Sequence, residues 1–441
     1  MTNCTTGKFT FPQLKKRNIQ ANFDGGSITS DAGVLLLREV DRSIKLTDQV
    51  VKLFKDDRDP AYIEHTIETM LKQRIYGIAL GYEDLNDHDT LRNDMAFQTA
   101  VGQDKRLASS PTLCRLENKA DRAFAVGIHK IMIEQFISSF KTPPTELVLD
   151  FDATDDIVHG DQVGKYYHGY YGNHCFLPLY VFCGKQLLVS YLRTADKDAA
   201  HHSWAILSLL VKRFRQVWPN VKIIFRGDSG FCRHEMLEWA DKNGVYYIVG
   251  IAQNPNLKKA LAPRMEEAKI AFEQTKEKQR LFSEFKYGAK TWKRKRRIIG
   301  KAEHTSEGAN PRFIVTNLEG DPQHLYDNDY CGRGDMENRI KDQQLYLFSD
   351  RTSCHNWWPN QLRLLLSSLA YILLERLREF ALQVTEFATA SIETIRLKIF
   401  KIGAVVTRNT RSICLMLSSA YPYQAAFRLI YSQLMAHVSS A

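Results

Sequence analysis

The chain has eight cysteines, all isolated from one another, and no Cys-x-x-Cys pair. That excludes a zinc knuckle and gives no basis for a disulfide framework, so a reducing cytosol is the expected setting. Histidines 159, 168, 174, 201 and 202 never fall at the His-x3-His spacing that would put two ring nitrogens on one helix face. They are expected to be structural or phosphate-contacting, without a zinc role. Long apolar runs are missing too. The most apolar stretch, Gln361 to Glu375, is interrupted by Arg363, Glu375, Arg376 and Arg378 before the roughly 18 uncharged residues of a membrane span accumulate. A core helix is expected there, and no membrane partner. The start, Met1-Thr-Asn-Cys-Thr-Thr-Gly-Lys, has no apolar signal region, which argues against secretion.

What is present is a chain of 441 residues with 44% hydrophobic content, long enough for two or three domains. Lys and Arg number 60 against 50 Asp and Glu, a formal net charge of +10 whose placement matters more than its sum. The densest basic cluster is Lys290-Thr-Trp292-Lys293-Arg294-Lys295-Arg296-Arg297, running into Ile298 and Ile299. It reads as a basic β-ribbon whose cations neutralise phosphates while Trp292 stacks on a base or sugar. A solvated edge strand that uses lysines to block pairing is the plain alternative. Lys15-Lys16-Arg17 reads as a solubilising terminus.

Residues 1–145 read mostly as helices, Ser30 to Asp41, Leu46 to Leu53, Tyr62 to Leu80 and Asp121 to Phe140, closed by Pro143-Pro144. Asn86 to Asp89 reads as an acidic loop and Ser109 to Thr112 as a helix start, and no helix-turn-helix can be assigned. The tail from Thr385 reads as further helices, with Arg396, Lys398, Lys401, Arg408 and Arg411 as a second possible basic surface.

Chemistry enters with three carboxylates. In Glu146-Leu-Val-Leu-Asp150-Phe-Asp152-Ala-Thr154, alternation puts Leu147, Leu149 and Phe151 on one strand face and Asp150, Asp152 and Thr154 on the other. Asp155 and Asp156 then read as turn formers. In Val221-Lys-Ile-Ile-Phe-Arg226-Gly227-Asp228-Ser229-Gly230, a β-branched run stops at Asp228, at the strand end where ligands gather in open α/β sheets. The bland reading of either aspartate is a helix N-cap or turn. Between Asp150 and Asp152, periodicity alone does not choose.

The third carboxylate is Glu337. On an ideal helix Tyr330, Arg333, Glu337, Lys341 and Gln344 share a stripe, with Met336, Ile340, Gln343 and Leu347 about a quarter-turn away. Alone this also describes a solvated ion-pair helix. Two strand-end aspartates and a helical glutamate, however, are the oxygen donors that two Mg²⁺ ions need, with Mn²⁺ expected to substitute. Such a pair of ions about 4 Å apart supports in-line displacement at phosphorus without a dedicated general base.

These segments resemble the DDE transposases of bacterial insertion sequences whose third motif is Tyr-x2-Arg-x3-Glu, and most of all insertion-sequence family 1380. The resemblance rests on Leu149-Asp-Phe-Asp152-Ala-Thr-Asp-Asp156, His159-Gly160, Tyr167-His-Gly-Tyr-Tyr171, Leu177-Pro-Leu-Tyr180, Arg226-Gly-Asp228-Ser-Gly-Phe-Cys232 and Arg333-Gly-Asp-Met-Glu-Asn-Arg339, in order over most of the chain. It implies an α/β fold with an RNase H-like catalytic core (146–253 and 330–383), a β-rich basic insertion (254–329), a helical N-terminal DNA-binding or dimerisation region (1–145) and a helical C-terminal region (384–441). The strands expected after Asp152 are Phe176 to Cys183, Leu187 to Leu192, the run into Asp228, and Val245 to Ile251, with helices His202 to Val217 and Glu235 to Asn243. It implies Asp152, Asp228 and Glu337 as catalytic metal ligands, Asp152 being favoured by the family's Asp-x-Thr pattern, with Asp150 a buried supporting acid. Tyr330, Arg333, Arg339 and Lys341 are implied DNA contacts beside the basic cluster. The group's lysine seven residues after the glutamate is Gln344 here, and Lys341 is its candidate replacement. Double-stranded DNA, as terminal inverted repeats and target, is the implied partner, with a homodimer in the active complex at the nucleoid. Two rivals stay open on sequence, a nuclease of the same fold that does not join strands and an inactive DNA-binding descendant.

Overall fold

The structure is a computed structural model that describes residues 7–440. Cys4 and the rest of the first six residues lie outside that description. The chain divides into two compact units, one of residues 120–368 and the other of residues 1–119 with 369–441. Among the described residues, no helix is long and apolar enough to cross a membrane.

The 120–368 unit is built on one large mixed sheet. Its strands in chain order are β1 (Glu146–Ala153), β2 (Leu179–Cys183), β3 (Gln186–Tyr191), β4 (Lys222–Gly227), β5 (Tyr246–Gly250), β6 (Gln279–Tyr287), β7 (Arg296–Thr305), the two-residue β8 (Gly308–Ala309) and β9 (Arg312–Thr316). Across the sheet they run β6-β7-β9-β5-β4-β1-β2-β3, with β8 paired to β7. β1, β4 and β5 are mutually parallel, while β2 runs antiparallel beside β1 and β3 antiparallel beside β2. Helices α1 (Arg122–Ser138), α2 (Ser203–Val217), α3 (His234–Lys242) and α4 (Pro255–Thr275) belong to the same unit. Parallel neighbours need such crossovers, because a tight turn cannot reverse the chain and leave the direction unchanged. The apolar half of each strand supplies the core: Leu147, Leu149 and Phe151 of β1 pack with Phe225 of β4, Val249 of β5, and Leu207, Leu210 and Phe214 of α2. Each side chain of this size contributes about 1.5–3 kcal/mol when fully buried.

The elements of this unit depart from the expected ones in places. The strand expected from Phe176 to Cys183 is two strands, Asn173–Phe176 and β2, separated at Leu177-Pro178. Proline has no N–H for a ladder, and the chain uses it to leave one small sheet for the large one. The 254–329 stretch opens with the 21-residue α4, and its strands extend the main sheet. Within the basic cluster only Arg296 and Arg297 belong to a strand, while Lys290 to Lys295 form the connection from β6 to β7.

In the other unit, helices Val34–Ile44, Leu46–Val51, Ile67–Leu80, Met95–Ala100 and Ser110–Glu117 follow a hairpin, Phe9–Leu14 with Arg17–Ala21, so Lys15 and Lys16 form a hairpin turn. Asn86 to Asp89 is no open loop: Asp87–Leu91 is helical, and Asp89 accepts from the Ser110 N–H and hydroxyl. The tail beyond Thr385 is only partly helical. Ala404–Arg408 and Ile413–Leu417 form a hairpin that also pairs with Ile28–Thr29 before the last helix, Gln424–Ser440.

Candidate active site

Register decides what the strand ends bring together. Phe151 of β1 lies opposite Gly227 of β4, so Asp152 and Asp228, one residue further along each, are neighbours at the C-terminal ends of adjacent parallel strands. Strands in a sheet sit about 4.8 Å apart, close enough for two carboxylates to repel. Asp152 Oδ1 accepts from the Ala153 N–H (2.9 Å). Asp228 Oδ1 accepts from the Gly230 N–H (2.9 Å), capping the short turn Ser229–Phe231. The turn-forming role and the strand-end position therefore coexist in Asp228.

Glu337 lies on α5 (Gly334–Lys341), the regular part of a longer helical run opened by Pro322 at its first position and Asp321 capping the His324 N–H. That run is not one ideal helix. It widens to π geometry at Leu325–Tyr330, tightens at Cys331–Arg333 and widens again at Asp342–Tyr346. The expected single stripe is therefore broken at both ends of α5, and each member meets a different partner. The Tyr330 hydroxyl lies over Gly250, where a Cβ would stand only 2.6 Å from it. Arg333 spans two acids, its Nη1 3.5 Å from Asp152 Oδ2 and its Nη2 3.0 Å from Glu337 Oε1. Gln344 donates to the Asp155 carbonyl (3.0 Å) and to Asp156 Oδ1 (3.1 Å), so the residue at the expected lysine position docks the helical run onto the turn that follows β1. Lys341 is exposed and Arg339 half-buried.

The electrostatics record the same convergence. The Asp152 carboxyl is pushed up to about 6, chiefly by burial; Arg333 opposes the shift, and the charges of Asp228 and Glu337 add to it. Burial works against the Arg333 charge, yet Asp152, Tyr330, Glu337 and Asp228 together raise its pKa. Tyr330 is held above the ordinary phenol range by burial, opposed by Arg333 and reinforced by Asp228. Asp150 is differently placed. It is buried, lies opposite Arg226 in the β1–β4 register, and holds that guanidinium by a two-pronged pair, with Arg226 Nη2 2.7 Å from Oδ2. Arg226 Nη1 in turn donates to the Asp329 carbonyl, tying the sheet to the run that carries Tyr330 and Arg333.

A scan of protein families matches residues 11–439 to the transposase DDE domain, group 1. The chain belongs to that family. No curated protein matches it. Seven solved chains do; one, a piggyBac transposase described in a synaptic complex with hairpin DNA, is 11% identical with a TM-score of 0.42, over 84% of this chain and 80% of its own.

The donor set of this DDE transposase chain suits a hard divalent cation, since all three acids offer oxygen and burial outweighs the attraction of Arg333 in keeping Asp152 from ionising. The acids are not drawn into a ready-made cage: among the described residues, no group of three or more His, Cys, Asp or Glu lies close enough to hold a metal. Arg333 occupies the space between Asp152 and Glu337.

The basic cluster is more neutralised than its composition implies. Lys293 pairs with Glu238 (2.8 Å) and Arg294 with Asp241 (2.5 Å). Arg297 pairs with Glu284 and also donates to the Leu318 and Gly320 carbonyls. Arg296, expected as a DNA contact, is buried instead: it pairs with Asp241 (2.8 Å), donates to the Tyr247 hydroxyl and lies 5.1 Å from the centre of the half-buried Trp292 ring. Lys290 and Lys295 are exposed. Gly250, whose Cβ would also fall 2.9 Å from the Ser229 nitrogen, carried no signal in the sequence, and Arg226 was visible there only as part of a motif, without its role as partner of Asp150.

Proposed function

We propose that this transposase-family chain is an active DNA transposase that cleaves strands at the ends of a mobile element and joins the liberated 3′-hydroxyl to target DNA by a cut-and-paste route. The observation that carries this reading is the convergence of Asp152, Asp228 and Glu337, through Arg333, at the C-terminal ends of β1 and β4. The order β3-β2-β1-β4-β5, antiparallel on one side of β1 and parallel on the other, supports an RNase H-like core with its first acid on the first strand, its second after the fourth and its third on a later helix.

Asp152, Asp228 and Glu337 would hold Mg²⁺ or Mn²⁺, which when bound activates the attacking oxygen and offsets charge on the leaving one. The remaining work falls to the chain. Arg333, whose guanidinium fork matches a phosphate as well as it matches two carboxylates, exchanges Glu337 for a phosphate next to the scissile bond. Tyr330, kept neutral, donates a hydrogen bond to the strand that is transferred. Arg226 and Asp150 hold the sheet and the glutamate-bearing run in register. Arg339, Lys341 and the exposed lysines of the basic turn extend contact along double-stranded DNA, and pairing two element ends calls for a dimer.

The test is to incubate the purified protein with Mg²⁺ and labelled DNA carrying both flanks of its own reading frame and a target plasmid, beside Asp228→Asn. Cleavage and joining by the parent alone support the proposal. Breaks without joined products would make the protein a nuclease, and an Asp228→Asn variant cleaving at the parental rate would sink the site assignment.

A further inference from the structure

Directly after the catalytic strand, the chain makes a small three-stranded sheet, Asp156–Ile157, Tyr166–His168 and Asn173–Phe176, whose outer hairpin turns through Gly169-Tyr170-Tyr171-Gly172. Gly172 has φ +70°, the left-handed conformation that lets this turn close, and its N–H donates to the His168 carbonyl (2.8 Å). The root is fixed. Phe176 packs edge-on against Trp357 (5.3 Å between ring centres), the Val163 N–H donates to the His355 carbonyl (2.8 Å), and Gln162 donates to the Thr352 carbonyl (3.1 Å). The tip is bare. Tyr170 is 86% exposed, Tyr167 60% and Tyr166 47%.

Strand alternation sorts these rings. Cys175, opposite Tyr166, is buried with Leu177 and Ala195, and Tyr171 and Ala153 pack on the same cluster. Tyr167 lies opposite the exposed His174 and meets it edge-on, 5.6 Å between centres, on the outward face. Tyr171 is thus the link to the site: it packs on the same cluster as Ala153, the residue that follows Asp152, and its hydroxyl is pushed up to about 12 by burial and by the charges of Asp155 and Asp152. From Ile157 to Phe176 the only acid is Asp161, which pairs with Lys165 (3.3 Å), so nothing on this finger repels a phosphate chain. Between Lys165 and His174 there is no aliphatic side chain, only Tyr, His, Gly and Asn.

We propose that this finger, through Tyr167 and Tyr170, stacks on unpaired nucleobases of the DNA strand next to the scissile phosphate, holding that strand open while the carboxylates act on it. The inference rests on the transposase reading for the identity of the neighbouring site. Its chemistry is that of single-strand binding platforms, where flat rings on a rigid support take successive bases without regard to sequence. A fixed root matters, because a ring already positioned loses little freedom on stacking.

The experiment measures anisotropy of labelled oligothymidine and of a matched duplex in EDTA, so that no strand is cut. It compares the parent, Tyr167→Ala/Tyr170→Ala and Tyr167→Phe/Tyr170→Phe. The expected result is a loss of about 25-fold or more in single-strand affinity for the alanine pair, at about five-fold or more per stacked base. The phenylalanine pair stays close to the parent and duplex affinity does not move. Parental single-strand binding by the alanine pair overturns the proposal, as does an equal loss in the phenylalanine pair, which would assign the effect to the hydroxyls. Loss of self-association with strand binding unchanged would make the finger an interface between copies and overturn it too. Because the readout needs no cleavage, a protein that never cuts DNA but shows this pattern would leave the finger standing and refute the catalytic reading alone.

Discussion

Replacing Asp152 by asparagine should make the metal-free protein more stable. The Asp152 carboxyl is 16% exposed and its pKa stands at about 6 against an ordinary value of 3.8. A shift of this size corresponds to a penalty of up to about 3 kcal/mol for the ionised group in the fold, already net of the attraction to Arg333. The sign follows from proton binding: between pH 3.8 and about 6 the folded state holds this proton more tightly than the unfolded chain does, so stability falls as pH rises through that window. Asparagine keeps an oxygen to accept the Ala153 N–H and carries no charge. In EDTA the variant and the parent should therefore melt together below about pH 4 and separate as pH rises, the variant higher by about 6–10 °C at pH 8 for a unit of this size. Thermal melts at four or five pH values decide it. A variant that melts at or below the parent at pH 8, or a difference that does not change with pH, would mean that Asp152 is not buried among like charges, and the site would have to be redrawn. Mg²⁺ should raise the parent's melting temperature and leave the variant's unchanged.

Gly250→Ala places a Cβ 2.6 Å from the Tyr330 hydroxyl and 2.9 Å from the Ser229 nitrogen, so it should cost about 1–3 kcal/mol and reduce strand cleavage at least tenfold. Adding Tyr330→Phe, which removes only the first clash, should restore part of the stability in denaturant melts and little of the cleavage. Gln344→Ala leaves Asp156, buried and held well above the carboxylate range by that burial, without the amide that donates to it; a loss of about 1–3 kcal/mol is expected by urea titration. Lys290→Ala with Lys295→Ala should reduce the dependence of log affinity on log salt by about 1.8 for duplex DNA, whereas Lys293→Ala, whose charge already faces Glu238, should leave the slope nearly unchanged. Equal slopes for the two would mean that Glu238 does not hold Lys293 in solution.

The contrast between Lys293 and Lys290 also shows where the sequence was readable. The strand-end positions of Asp152 and Asp228 were legible because a carboxylate ending an apolar strand breaks a period-two pattern, and that break lies within a few adjacent residues. Nothing so local marks the neutralisation of the basic cluster: Glu238 lies 55 positions before Lys293, on a helix that only the packed sheet brings alongside. Composition counted the cations, and only the fold supplied the anions. The same holds for Asp150 and Arg226, whose pairing follows from a strand register that no single strand contains, and for Gly250, whose side-chain volume is forbidden by Tyr330 arriving from another element. Glu337 lies between these cases. Its helix was legible, but the single stripe assumed one pitch from Tyr330 to Gln344. The widened turns on either side of α5 turn Tyr330 to Gly250 and Gln344 to Asp156, leaving Arg333 alone to face the carboxylates. Such local widening is common where a helix serves a functional site, because each added residue re-aims the side chains beyond it. An arginine left between Asp152 and Glu337 is then itself informative. If the proposed function holds, a guanidinium that bridges two acids in the free protein has to be displaced or shared when a phosphate arrives, and that exchange would couple assembly of the site to DNA binding.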